Sequence, residues 1–422
     1  MTPEVRDRIE QLRHGNVPEG YKRTKAGILP ADWAVCSIDE CLERVERPVD
    51  VQAEEMYTQI GIRSHGKGLF YKEPVTGESL GNKAVYWIEP DCFVLNIVFA
   101  WEQAIGKTTA SEVGMIGSHR FPMYRPVDGK VDIDYLIFYL MTKRGKDILE
   151  AASPGGAGRN RTLGQDRFMK SKIVLPVIEE QKKIAEILTT QDKVIELKEK
   201  LLVEKQRQKK YLMQQLLTGK KRLPGFDGEW KSVKLSEVLI ARTEKNSNQN
   251  HRICSVAVQK GVVDQVEHLG RSYAAADTSN YGVAHYGDVI YTKSPTGDFP
   301  YGIVKQSQMH EKVAVSPLYG IYEPVCYELG YILHTYFSNA INCSNYLLPI
   351  VQKGAKNTIN ITNSVFVSNR LYLPMDCNEQ KALAEIFIAA DKELNLLRKE
   401  LEQEKQKKKA LMQLLLMGIV RV

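Results

Sequence analysis

The chain is written twice, at a nearly constant offset. Placing Ile184 over Leu383 and reading forward at a separation of 199 brings Ile187 onto Ile386, Leu188 onto Phe387, Ile195 onto Leu394, Leu197 onto Leu396 and Leu202 onto Leu401. Leu212 then meets Leu411, Met213 meets Met412, Leu216 meets Leu415 and Gly219 meets Gly418. Polar positions agree too: Glu180-Gln181-Lys182 matches Glu379-Gln380-Lys381, and Asp192 matches Asp391. Upstream the separation falls to 198 and then 197 as loop lengths differ: Leu175-Pro176 corresponds to Leu373-Pro374, Ser118 to Ser316 and Tyr124-Arg125-Pro126 to Tyr322-Glu323-Pro324, then Asp91 to Asp288 and Trp33 to Trp230. Agreement at a fixed period marks a duplicated unit, so the fold must consist of two like halves.

Each half ends in a long helix, predicted over 179–217 and 379–417. Each follows a Leu-Pro step and stops at a glycine, the usual punctuation of helix ends. About 39 residues at 1.5 Å give roughly 58 Å, more than one domain core can cover. The apolar stripe runs through Ile184, Leu188, Ile195, Leu202 and Leu212 in the first helix, and Leu383, Phe387, Leu394, Leu401 and Leu411 in the second. Such a stripe needs a partner, and the simplest is the other helix in an antiparallel coiled coil. The helix middles, VEKQRQKK (203–210) and EQEKQKKK (402–409), are lysine-rich. They read as a solvated face or as a basic track beside a phosphate backbone or a partner subunit. Ile9, Leu12 and Gly15 echo the spacing of Met213, Leu216 and Gly219, which fits either a circular layout or a plain capping helix.

The remaining sequence divides into an N-terminal capping segment (1–22), a mixed α/β module (23–172), the first helix region (173–222), a second module (223–370) and the second helix region (371–422). Short β-rich runs such as YTQIGI, AVYWI, RICSVAV and DVIYTK alternate with Gly, Pro and Asn turns in both modules. The aromatic stretches 134–152 and 328–347 read as core helices. The fold class is α+β, two mixed α/β modules joined by two long helices with a pseudo-two-fold repeat. Polar, glycine-bearing loops are the candidates for reading base edges, because Arg, Lys, Asn and Gln make bidentate contacts there and glycine permits close approach. They contribute Arg63, His65 and Lys67; Arg159, Asn160 and Arg161; Gln259 and Lys260; Lys293; and Lys353, Lys356 and Asn357.

No phosphate loop, Rossmann fingerprint, Asn-Pro-Pro-Tyr run or local nucleophile–base constellation is present, so no catalytic residue is assigned. Seven cysteines without C-x-x-C spacing and eight scattered histidines offer no metal motif. They predict a reduced, cytoplasmic protein. No apolar run reaches the roughly 20 residues of a membrane span, and a net charge of +7 permits a polyanionic partner without requiring one.

Over nearly its whole length the chain resembles the specificity subunits of type I restriction–modification systems. The resemblance lies in LPADW and LPGFDGEW opening each half, LPVIEEQKKIAEIL and LPMDCNEQKALAEIF opening each helix, and LMQQLLTG and LMQLLLMG closing them. It implies that each module is a target recognition domain for one half of an asymmetric bipartite site in double-stranded DNA, with the helices as a ruler. It further implies docking of two modification subunits carrying S-adenosylmethionine and of two ATP- and magnesium-dependent restriction subunits, while this chain binds no cofactor. The residues also leave room for a specificity subunit of a related modification system, or for a coiled-coil scaffold that binds only protein.

Overall fold

Proline cannot continue a strand into a helix without a break, and both long helices begin just beyond such a proline. The structure, a computed structural model, describes residues 2–25, 27–155, 161–293, 295–353 and 359–422. The helices run over Ile178–Leu216 and Cys377–Leu416. The second starts two residues earlier than the sequence reading placed it, because Asp376 Oδ1 accepts from the amides of Asn378 (2.7 Å) and Glu379 (3.2 Å) and caps the first turn. Both stop where expected, at Gly219 and Gly418, each with φ +67°. That left-handed conformation favours glycine.

The chain divides into two compact units: Met1–Lys198 with Glu400–Val422, and Glu199–Lys399. Each therefore holds one head and a part of both long helices. In the first unit, one sheet has the antiparallel order Ile105–Lys107, Phe93–Leu95, Met123–Pro126, Leu42–Val45. A second group pairs Leu69–Tyr71 with Ile60–Ile62 and Ile116–Ser118 with Val85–Trp87, and Gln59 bridges Ile116 in parallel. Ala34–Ser37 pairs with Lys172–Leu175, the strand that leads into the helix.

The second unit repeats these pairings. Its sheet runs Val304–Gln306, Val289–Tyr291, Gly320–Pro324, Leu239–Ala241. The companion sheet runs Gly261–Asp264, Arg252–Ala257, Val313–Val315, Gly282–Ala284, with the middle pair again parallel. Lys231–Lys234 pairs with Arg370–Leu373 ahead of the second helix. The aromatic helical stretches are core in both heads: Tyr135, Leu136 and Leu140, and likewise Leu333 and Phe337, are almost completely buried.

Within each unit the long helices pack antiparallel. In the first, Ile184, Ala185 and Leu188 share a core with Leu411, Met412, Leu415 and Leu416. In the second, Leu383, Ala384 and Phe387 share one with Leu212, Met213, Leu216 and Leu217. Leu394 is buried, while Ile195, Leu202 and Leu401 are half-buried. Leu197 and Leu396, matched in the repeat, instead stand 64% and 51% exposed.

Several lysines in and beside the helix middles pair with the facing helix. Lys198 pairs with Glu400 at 2.7 Å and Lys408 with Asp192 at 2.5 Å in the first unit. Lys205 pairs with Glu393 at 2.7 Å, and Lys209 with Asp391, in the second. Lys209 and Lys408, like Asp391 and Asp192, are repeat equivalents, so the ion pairs obey the same pseudo-symmetry as the leucines. Opposite charges flanking an apolar seam fix register and orientation.

The conserved polar positions of the repeat prove to be a clasp. In the first unit Trp33 Nε1 donates to Glu180 Oε2 at 3.0 Å, and Arg421 donates to both carboxylate oxygens at 2.6 and 2.8 Å. In the second, Trp230 Nε1 donates to Glu379 Oε1 at 3.2 Å, and Arg222 grips Glu379 bidentately at 2.7 Å twice. Gln181 and Gln380 reach back to the carbonyls of Pro176 (2.9 Å) and Pro374 (2.8 Å). The end of each helix is thus locked to the beginning of the other. The N-terminal helix, Pro3–Arg13, joins the same junction: Arg8 donates to the Ile419 carbonyl (2.7 Å) and Tyr21 to that of Gly418 (2.5 Å). This contact agrees with the circular layout.

Candidate nucleic-acid interface

Loops that read a groove must protrude yet hold their side chains in place. In the first head, Ile60–Ile62 and Leu69–Tyr71 form a hairpin whose tip, Ser64–Lys67, carries the candidates. His65 and Gly66 both take positive φ, +61° and +62°. That conformation is unfavourable for histidine, so the surroundings must stabilise it. They do: His65 N donates to the Glu102 carbonyl at 2.8 Å, Gly66 N to the Gln103 carbonyl at 2.9 Å, and Ser64 Oγ to Glu102 Oε2 at 2.8 Å. The hairpin tip is therefore pinned to the turn Ala100–Glu102, with Arg63, His65 and Lys67 exposed.

Arg63 lies back along its own hairpin, its guanidinium 5.0 Å from the Phe70 ring centre and its Nη1 donating to the Leu69 carbonyl at 2.9 Å. Phe70 can occupy that place because its cross-strand partner is Gly61: a Cβ there would fall 2.2 Å from the ring. Arg161 arrives from the other side of the same turn, its guanidinium 5.3 Å from the Trp101 ring centre. Leu163 N donates to the Ile97 carbonyl at 2.8 Å and secures that strap. The structure thus brings Arg63, His65, Lys67 and Arg161 around one turn. Arg159 and Asn160 lie outside the described residues. An open recess of about 320 Å³ beside the turn is lined by Phe70, Phe99, Phe121, Asn96, Ser64 and Lys72, among others.

In the second head the equivalent hairpin, Arg252–Ala257 with Gly261–Asp264, presents exposed Gln259 and Lys260 at its turn. Lys293 is half-buried and follows Val289–Tyr291, the strand matched to Phe93–Leu95. Lys353 belongs to a short strand, Gln352–Lys353, paired with Ile359–Asn360. Lys356 and Asn357 lie outside the described residues. No hydrogen bond among the described residues joins Gln259, Lys260 and Lys293. Sequence reasoning missed Arg271, which stacks over Tyr273 at 4.6 Å just beyond this hairpin, with Tyr273 58% exposed. The Arg-x-Tyr spacing was its only local signal.

Two basic groups of the second unit are strongly perturbed deep in the fold. Burial, aided by the Lys209 ammonium, pushes Lys305 down to about 8 while its Nζ donates to Ser338 Oγ at 3.0 Å. The same burial holds His334 far below its ordinary value, and its Nδ1 accepts from Gln306 N at 3.1 Å. Among the described residues no group of three His, Cys, Asp or Glu could hold a metal ion, and no helix is long and apolar enough to cross a membrane.

Comparison with known proteins agrees with this architecture. Residues 79–205 match the type I restriction modification DNA specificity domain. Two type I restriction enzyme specificity subunits of Methanocaldococcus jannaschii are 24% and 25% identical, each aligned over 96% of this chain and over 97% and 96% of its own. Among solved structures, the HsdS subunit from Thermoanaerobacter tengcongensis superposes with a TM-score of 0.50 at 18% identity, covering 93% of this chain and 98% of that one. The type I restriction–modification S subunit from M. genitalium does so with a TM-score of 0.56 at 12% identity, covering 91% and 96%.

Proposed function

Because the chain belongs to the family of type I restriction–modification specificity subunits, we propose that each head reads one half of an asymmetric two-part DNA site and that the paired helices set the spacing. The observation that carries this reading is one two-sheet plan occurring twice, with different chemistry at the protruding hairpins: Arg63, His65 and Lys67 in one, Gln259 and Lys260 in the other. Unlike heads in one chain allow unlike half-sites, which a symmetric dimer cannot offer. Linkage also makes the second binding event intramolecular and adds avidity without new contacts.

In this reading the chain is a non-catalytic subunit that lends specificity to its partners. Two modification subunits would dock on the helices and bring S-adenosylmethionine; two restriction subunits would bring ATP and magnesium chemistry. The exposed leucines at matched repeat positions, Leu197 and Leu396, support helix docking, since exposed apolar groups along a charged seam favour burial against a partner.

The spacing role is tested by a paired deletion. Removing residues 200–206 and 393–399 takes one heptad from each helix, keeps the antiparallel pairing and shortens the pair by about 10 Å. At about 3.4 Å per base pair, the tolerated spacer should shrink by about 3 base pairs. Methylated adenines are mapped genome-wide in cells expressing the chain with its modification subunit; an unchanged spacer refutes the ruler.

A further inference from the structure

We propose that Arg63 and Arg161 are specificity-determining residues that read guanine in one half-site. The proposal rests on the DNA-reading assignment above. Both side chains are mounted on the same scaffold, the turn Ala100–Glu102, through the pinned hairpin on one side and Trp101 on the other. Among the described residues neither has a carboxylate partner, in contrast to Arg222, Arg242 and Arg421, whose guanidinium groups grip Glu379, Asp288 and Glu180. Each instead lies over an aromatic ring, Phe70 at 5.0 Å and Trp101 at 5.3 Å.

An aromatic face orients the guanidinium plane without consuming its hydrogen-bond donors, so the fork is held ready while its charge stays uncompensated. Among the described residues Arg63 engages Nη1 alone, with the Leu69 carbonyl, and the adjacent Nε and Nη2 donors have no partner. Two parallel donors on a fixed plane match the N7 and O6 acceptors that guanine shows in the major groove. A phosphate contact requires positive charge alone, and a freely moving lysine would serve it. The cost of building Phe70 against Gly61, and of holding His65 at φ +61°, makes sense for a fork that must point one way. The matching hairpin of the second head ends in Gln259 and Lys260, so the reading by Arg63 and Arg161 is assigned to one half of the site.

The full chain is co-expressed with its modification subunit and the methylated motif is mapped. One half of the wild-type motif contains guanine. Arg63→Ala and Arg161→Ala each relax a guanine in that half, lowering discrimination there roughly 5- to 150-fold while the other half is unchanged. Arg63→Lys and Arg161→Lys keep the charge but lose the planar fork, and they lower discrimination at the same bases. Phe70→Leu, which keeps both arginines, weakens reading at the Arg63 base. A motif without guanine in either half overturns the proposal alone, as do variants that lose methylation evenly or lysine variants that discriminate like the wild type. A wild-type complex without sequence-selective methylation overturns the DNA-reading assignment with it.

Discussion

Replacing Arg222 with alanine removes the main partner of a carboxylate that the fold has taken out of water. The Glu379 side chain is 2% exposed, and Arg222 supplies two of its three hydrogen bonds, both at 2.7 Å; Trp230 supplies the third at 3.2 Å. Stripping one partner from a buried ion pair costs about 3–5 kcal/mol, because the remaining charge is left uncompensated. Arg222 is itself 27% exposed, so water will reach the vacated space and the lower end, about 3 kcal/mol, applies. For a unit of about 200 residues this lowers Tm by roughly 6–12 °C. Scanning calorimetry measures the shift, and hydrogen exchange at the first turn of the second long helix locates it. Combining Arg222→Ala with Glu379→Gln should recover at least about 1 kcal/mol, since a neutral amide can still accept from Trp230 and no charge is stranded. A loss below about 1 kcal/mol, or no recovery in the double variant, would show that the clasp is ornamental.

Lys305 should make the second unit more stable as pH rises. Its folded value of about 8 lies below the ordinary 10.5, so between those limits the unfolded chain holds the extra proton and stability climbs, by on the order of 3 kcal/mol in all. Urea unfolding at pH 7.5 and pH 9.5 should show the gain, and Lys305→Met should abolish it; equal gains in both would remove Lys305 as the cause. Gly61→Ala should displace Phe70 and cost about 1–3 kcal/mol, since its Cβ would fall 2.2 Å from the ring. An alanine variant with wild-type stability would mean that the hairpin shifts freely. Arg421→Ala should destabilise the first unit at least as much as Arg222→Ala does the second, because Arg421 serves both the buried Glu180 and Asp32, whose carboxyl it holds below its usual range; a smaller loss would refute this. Matching losses in thermal melts would assign the whole effect to the buried glutamates.

Much of the architecture could be read from local pattern. The two long helices, their glycine stops and their apolar stripe were legible because helical periodicity and punctuation are local properties. The aromatic stretches were recognisable as core for the same reason. The candidate loops were legible as protrusions, since the hairpins carrying Arg63 and Gln259 follow from alternating strands and glycine. What escaped was the company each residue keeps. Glu180 and Glu379 showed in the sequence only as matched repeat positions and are buried clasp residues. Leu197 and Leu396 showed only as matched repeat positions and are exposed. The lysines of the helix middles looked solvated or phosphate-facing, yet Lys205, Lys209 and Lys408 bond to the opposite helix.

The sequence by itself determined the doubling, the order of heads and helices and the residue types at the loop tips, because a duplicated pattern and a short-range periodicity survive without knowledge of distant partners. Only the tertiary structure decided that the end of each helix grips the start of the other, and that Arg63 and Arg161, 98 positions apart, flank one turn with aromatic rings beneath them. Those arrangements depend on contacts between residues remote in the chain, whose energies come from burial and geometry that no local window contains.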